Sequence, residues 1–183
     1  MSTRTTYIAL LRGINVGGHR IKMERLREVF VELGFTYVRC YIQTGNVFFN
    51  TAETEREILC TRIGQRLKAA LGYEVPVFLR TVPEFECALH PNPYEAVEEA
   101  PDMRFLVAFT SEPLSCKQPL SCKQPLPLRS ADGSVEILKI TPGEVFVVYR
   151  LIDGRPGNVE AFLKKVFGGK PKVTTDQAGD RAG

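Results

Sequence analysis

The chain has 183 residues, 44% of them apolar and 25% charged, which is the balance of an ordinary globular protein able to bury a core. Its net charge of +3 falls short of the dense, one-faced positive charge of nucleic-acid modules, so composition lends that partner no support. No apolar run approaches the roughly 18 residues a membrane span needs, and Met1–Thr6 is polar without a signal-peptide segment, so no membrane association and a cytoplasmic location are expected.

Thr6–Leu11 reads as a strand with apolar residues on both faces, and it runs straight into the glycine-rich stretch Arg12-Gly-Ile-Asn-Val-Gly-Gly18. Glycines between a strand and a helix let backbone N–H groups face outward, an arrangement by which proteins hold anions. Lys22–Leu33 places Met23, Leu26, Phe30 and Leu33 at helical spacing, with Gly34 where a C-terminal cap belongs. Thr36–Ile42 is rich in β-formers, and Thr44-Gly45-Asn46 is a tight-turn signal into Val47–Phe49, which makes a hairpin. From Glu53 to Leu71 the residues Leu59, Ile63, Leu67 and Leu71 recur at every fourth position, and Val75–Thr81 closes the unit as a strand. The order is βαββαβ, a split βαβ or ferredoxin-like arrangement.

Pro83–Pro101 reads as a bridge with short helical turns. Met103–Thr110, the hairpin Val135–Ile140 and Glu144–Arg150 around Thr141-Pro-Gly143, and the helix Asn158–Phe167 then repeat the first pattern in weaker form. Leu114-Ser-Cys-Lys-Gln-Pro119 is duplicated at once as Leu120-Ser-Cys-Lys-Gln-Pro125, and its prolines exclude a regular helix. The gap Ser111–Ser134 is expected to be disordered. The fold class expected is α+β, two ferredoxin-like (βαββαβ) halves packed together with the second degenerate. The divisions are 1–82 for the first half, 83–102 for the linker, 103–168 for the second half and 169–183 for a disordered tail. Tyr7–Leu11, Val47–Phe49 and Phe105–Phe109 are apolar on both faces, so the sheet face away from the helices should be covered, with the other half the favoured cover.

The five cysteines Cys40, Cys60, Cys87, Cys116 and Cys122 show no C-x-x-C spacing, and His19 and His90 are the only histidines. Neither a zinc cage nor any cofactor is implied; reduced thiols in a cytoplasmic protein are the simple reading, with Cys40, Cys60 and Cys87 as core fillers.

Tyr7-Ile-Ala-Leu-Leu-Arg-Gly-Ile-Asn-Val-Gly-Gly18, the Lys22-Met23 helix start, Leu33-Gly-Phe35 and Tyr41-Ile-Gln-Thr-Gly-Asn-Val-Phe-Phe49 resemble the bacterial domain-of-unknown-function family 1697. The resemblance implies two ferredoxin-like halves and brings no activity with it. The chain departs from the family in its hexapeptide duplication. It departs again near its end, where the family's Thr-Arg-Asn-Trp-Asn-Thr block is replaced by Val173-Thr-Thr175 and a tail without tryptophan.

In βαββαβ topology the end of the first strand and the turn of the first hairpin share one edge of the sheet. Arg12, Gly13, Asn15, Gly17, Gly18 and Lys22 should therefore meet Gln43, Gly45 and Asn46, with Thr44 and Arg20 close by. Two polar, glycine-bearing loops beside a helix start make a pocket for a small anionic or phosphorylated ligand. The glycines could equally serve turn geometry alone, and Asn15 and Asn46 could cap turns. The spacing G-x-x-x-G-G fits neither nucleotide fingerprint. No catalytic constellation stands out, since no nucleophile is tied to His19 by sequence. The alternative is a nucleic-acid or protein interaction module. Nucleic acid is disfavoured, because Gln43–Asn50 lacks the basic-aromatic opening of RNA-recognition modules and Tyr7, Phe48 and Phe49 are better explained by packing. The sequence carries no signal for an oligomeric state.

Overall fold

The computed structural model describes residues 4–15, 20–41, 45–110, 125–167 and 173–177. The chain divides into two compact units, Met1–Cys87 and Ala88–Gly183.

The first unit runs β1 (Thr5–Leu11), α1 (Met23–Glu32), β2 (Thr36–Tyr41), β3 (Asn46–Thr51), α2 (Arg56–Leu71) and β4 (Val77–Thr81), followed by α3 (Val82–Leu89) at the boundary. Its sheet has the order β2-β3-β1-β4, every neighbour antiparallel, so that Ala9 lies opposite both Val47 and Leu79. Local chemistry explains why elements are shorter than their hydrophobic patterns. Thr51 Oγ1 accepts the Glu53 N–H at 3.1 Å and Glu53 Oε1 accepts the Glu55 N–H at 2.8 Å. Those side-chain bonds hold turns where the pattern would continue α2. Pro76 has no N–H to give a ladder, so β4 begins one residue later.

Helix α3 replaces the short turns expected after Pro83. Its signal was in the sequence: Thr81-x-x-Glu84 is a capping box, in which Glu84 Oε2 accepts the Thr81 N–H at 2.8 Å and Thr81 Oγ1 accepts the Glu84 N–H at 3.4 Å. Cys87, on α3, is exposed, which corrects its reading as core; an eight-residue helix has outward positions that composition alone does not mark. Cys40 and Cys60 are half-buried, and burial pushes both thiols up, which keeps them protonated and unreactive.

The core of this unit lies between the sheet and both helices. Leu26, Val29 and Phe30 of α1 and Leu59, Ile63 and Leu67 of α2 meet Tyr7, Ala9, Leu11, Val47, Phe49 and Leu79 from the strands. At its centre Phe49 stacks on Phe35 with centroids 4.4 Å apart, tilts against Phe30 at 5.5 Å and stacks on Tyr7 at 5.9 Å. On the other face Ile8, Leu10 and Phe78 are also buried, in line with the apolar pattern of β1 on both sides.

The second unit comprises β5 (Met103–Thr110), β6 (Leu128–Arg129), β7 (Val135–Ile140), β8 (Glu144–Ile152), β9 (Arg155–Pro156), α4 (Val159–Val166) and β10 (Val173–Gln177). The sheet order is β10-β5-β8-β7-β6, with β9 paired to the end of β8. Two expectations are corrected here. β6 lies within the gap expected to be disordered, because Leu128 becomes buried as it pairs with Ile137. β10 lies within the expected disordered tail; its Val-Thr-Thr opening is β-branched, and it pairs along β5 from Val173 opposite Thr110 to Gln177 opposite Leu106. Residues 114–124 of the hexapeptide duplication lie outside the described residues. Helix α4 buries Leu163 and Val166, and Asn158 caps it by accepting the Ala161 N–H at 3.0 Å.

The turn before β7 is held by Asp132, whose carboxylate accepts from the Ser130 hydroxyl at 2.6 Å, the Ser134 hydroxyl at 2.8 Å and the Ser134 N–H at 3.1 Å. These bonds hold its carboxyl at about 2, below the ordinary 3.8. A depressed pKa gives stability that is fully present above the unfolded value and is lost as pH falls through the folded one. The Asp132→Ala chain should therefore melt lower than wild type at neutral pH. The gap should close between pH 3.8 and about 2, as read by thermal denaturation across that range. An unchanged gap at the acid end would assign the effect to packing instead.

Candidate functional site

The rim where β1 ends and β3 begins carries most of the candidate residues. The Arg12 N–H donates to Pro76 O at 3.0 Å, extending the β1–β4 ladder one step past its last pair, Leu11 and Val77. Gly13 follows, exposed, with φ +72°. Ile14 turns inward, and its carbonyl accepts the Tyr73 hydroxyl at 2.9 Å; burial pushes that phenol up. Asn15 Oδ1 accepts the Ile21 N–H at 2.9 Å, which ties the loop's departure to the approach of α1. Lys22 then stands exposed at the N-cap of α1, and no side chain caps that end. The first-turn N–H groups of the helix thus have no side-chain acceptor supplied from the cap.

The hairpin side arrives against this loop. Gly45 has φ +87°, and a Cβ built on it would lie 2.6 Å from Ile14 Cγ2 and 3.3 Å from the Leu11 Cβ. Asn46 opens β3 opposite Leu10 on one side and Tyr41 on the other. The structure therefore brings Arg12, Gly13, Asn15 and Lys22 to the same rim as Gly45 and Asn46. Gly17, Gly18, Gln43, Thr44 and His19 lie outside the described residues. Asn15 is engaged in holding the loop, one of the two roles its residue type allowed.

A second opening was not among the sequence candidates. At the opposite rim of the same sheet a cavity of about 310 Å³ is lined by Arg4, Phe35, Asn50, Glu53 and Arg62, among others. No motif marks it: its residues come from the starts and ends of separate elements, and only the finished topology collects them. The strand β2 holds a further unanticipated feature, since Tyr37 and Tyr41 are 75% and 61% exposed with Arg39 exposed between them. Tyr7 and Phe49, by contrast, are buried in the core. Among the described residues no group of three His, Cys, Asp or Glu side chains is placed to hold a metal ion. Among the described residues no helix is long and apolar enough to cross a membrane.

The fold is thus a mixed α/β one with two antiparallel sheets, and its rim is built from the segments that carry the family resemblance. The chain belongs to the DUF1697 family, proteins of unknown function, whose family model matches residues 4–138. Its structure is similar to that of the conserved bacterial protein SP0830 from Streptococcus pneumoniae. The TM-score is 0.65 at 21% identity, over 96% of this chain and 94% of the other. At that identity the likeness speaks for the fold alone. No curated protein matches the chain.

Proposed function

We propose that this chain is a cytoplasmic protein of two ferredoxin-like halves that binds a small anionic or phosphorylated ligand at the rim of its first sheet. The β2-β3-β1-β4 order with α1 and α2 between the strands supports the first half of that reading. The order β10-β5-β8-β7, with α4 between β8 and β10, supports the second. The observation that carries the ligand reading is the approach of Gly45 to Leu11 and Ile14. It sets the Arg12–Asn15 loop against the hairpin beside a helix start that bears Lys22 and lacks a side-chain cap. Cationic side chains, a loop at positive φ and a helix N-terminus all favour negative charge.

A thermal-shift screen of phosphorylated and carboxylate metabolites tests it. At least one compound should raise the melting temperature of the wild type, and Arg12→Ala or Asn46→Ala should abolish the rise. A screen in which nothing stabilises the wild type removes the reading.

A second reading, binding of single-stranded nucleic acid, is favoured by Tyr37, Arg39 and Tyr41 standing exposed along β2. Bases stack on such rings beside guanidinium groups. Its mark is affinity that falls steeply with salt, and no binding at low salt would discard it.

A further inference from the structure

The cavity at the far rim has its own charge and its own walls. Four parts of the chain close it: the residue leading into β1, the end of β3 with its passage toward α2, the connection from α1 to β2, and Arg62 from within α2. Two arginines reach it from positions distant in sequence. Arg4 Nη1 donates to Thr36 Oγ1 at 2.9 Å, and Arg62 Nη2 donates to Leu33 O at 3.2 Å. The Arg62 guanidinium also lies 5.8 Å from the centre of the Phe35 ring, within cation–π range. Both groups are thus tethered to one short stretch, Leu33–Thr36, and that stretch spans at most about 10 Å when extended.

Each tether uses one N–H of a group that has five. Among the described residues neither Arg4 nor Arg62 has a carboxylate partner, in contrast to Arg25, Arg56, Arg66, Arg129 and Arg150, each of which is paired with Asp or Glu. Asn50 spends its Oδ1 on the Thr6 hydroxyl at 2.9 Å, so its amide nitrogen is left as a further donor. The one acid in the wall, Glu53, is engaged in part, its Oε1 accepting the Glu55 N–H at 2.8 Å. The balance of the lining is positive, donors outnumber acceptors, and about 310 Å³ suits a small metabolite.

We propose that this cavity is a second binding site, for a small molecule bearing carboxylate or phosphate oxygens held between the Arg4 and Arg62 guanidinium groups. Planar forks of this kind grip paired oxygens with two parallel N–H···O bonds, and a charge-assisted bond is stronger than a neutral one. Carboxylate and phosphate share that chemistry, and the experiment separates them. The site is independent of the ligand reading for the other rim, since no residue is common to both.

The test is a titration of the full chain, labelled with nitrogen-15, with inorganic phosphate in one arm and citrate in the other, ionic strength held constant with chloride. Saturable shifts are expected at the amides of Gly34 and Asn50–Glu53 in at least one arm, which identifies the preferred oxyanion. Arg4→Gln and Arg62→Gln should each weaken the midpoint by at least about tenfold, the loss expected for one charged hydrogen-bonding group. Arg62→Lys keeps the charge without the fork and should fall between wild type and Arg62→Gln. Arg12→Ala, at the other rim, should leave the midpoint unchanged. Arg4 is exposed ahead of the first strand, so Arg4→Gln carries the test even where an Arg62 variant fails to fold. Absence of saturable shifts in both arms overturns the proposal, as do shifts that persist at the wild-type midpoint in Arg4→Gln or are lost in Arg12→Ala.

Discussion

Replacing Phe49 by alanine should destabilise the first unit by about 3–5 kcal/mol, the range for removing a fully enclosed phenyl ring from a core. The ring is 0% exposed and touches Tyr7 on β1, Phe30 on α1 and Phe35 ahead of β2. Its loss removes apolar burial and aromatic contacts together, and walls drawn from separate elements cannot all move inward to fill the space. Leucine at the same place keeps much of the volume and should cost less than half as much. Urea unfolding followed by hydrogen exchange at the amides of β1 and β3 reports on this unit directly, which matters in a chain of two units. A loss below about 1 kcal/mol would mean that the cluster collapses easily, contrary to the density the contacts imply.

The second large effect is expected at Gly45. Alanine there meets two penalties at once. The backbone at φ +87° disfavours any side chain with a Cβ, and the new methyl would stand 2.6 Å from Ile14 Cγ2 and 3.3 Å from the Leu11 carbonyl oxygen. Ile14 is itself buried, so it cannot swing into solvent. The sum is about 2–4 kcal/mol. Gly13 supplies the control, because its φ of +72° is comparable and nothing lies within 4 Å of its would-be Cβ. Gly13→Ala should cost only the conformational part, about 1–2 kcal/mol. The difference between the two variants, measured by the same exchange experiment, isolates the steric term. Equal losses would show that Ile14 yields freely and that the loop and hairpin are not tightly apposed.

The first unit was legible because its signals agree with one another. Leu59, Ile63 and Leu67 recur at the helical period and are all fully buried on α2, and β1, apolar on both faces, buries Ile8 and Leu10 as well as Tyr7, Ala9 and Leu11. Phe48 of β3 and Phe105 of β5 are only half-buried. The meeting of the Arg12–Asn15 loop with Gly45 and Asn46 followed from topology, since a crossover helix and a hairpin set the rim on which each strand ends. What escaped notice depends on partners that periodicity does not reveal. α3 rests on a reciprocal pair of side-chain bonds between Thr81 and Glu84 within a proline-bearing stretch. β6 is two residues long and exists only because β7 offers Val135–Ile140 to pair with. β10 needs β5 for its ladder and has no hydrophobic period of its own. The Arg4–Arg62 cavity was invisible for the same reason, because residues so far apart in the chain become neighbours only after the sheet has formed.

The placement of β1 inside its sheet, between β3 and β4, has a consequence for how the chain is made. Its apolar run Tyr7-Ile-Ala-Leu-Leu11 leaves the ribosome before either neighbour, so one edge waits for residues 46–51 and the other for residues 77–81. Until Thr81 has emerged, a nascent chain carries an adhesive segment with an open flank, the kind of strand that pairs with the wrong neighbour. The β2–β3 hairpin, local in sequence, is the natural early template on which that segment can wait. Pausing of translation between residues 51 and 77 would prolong the exposure, and speed through that interval protects it.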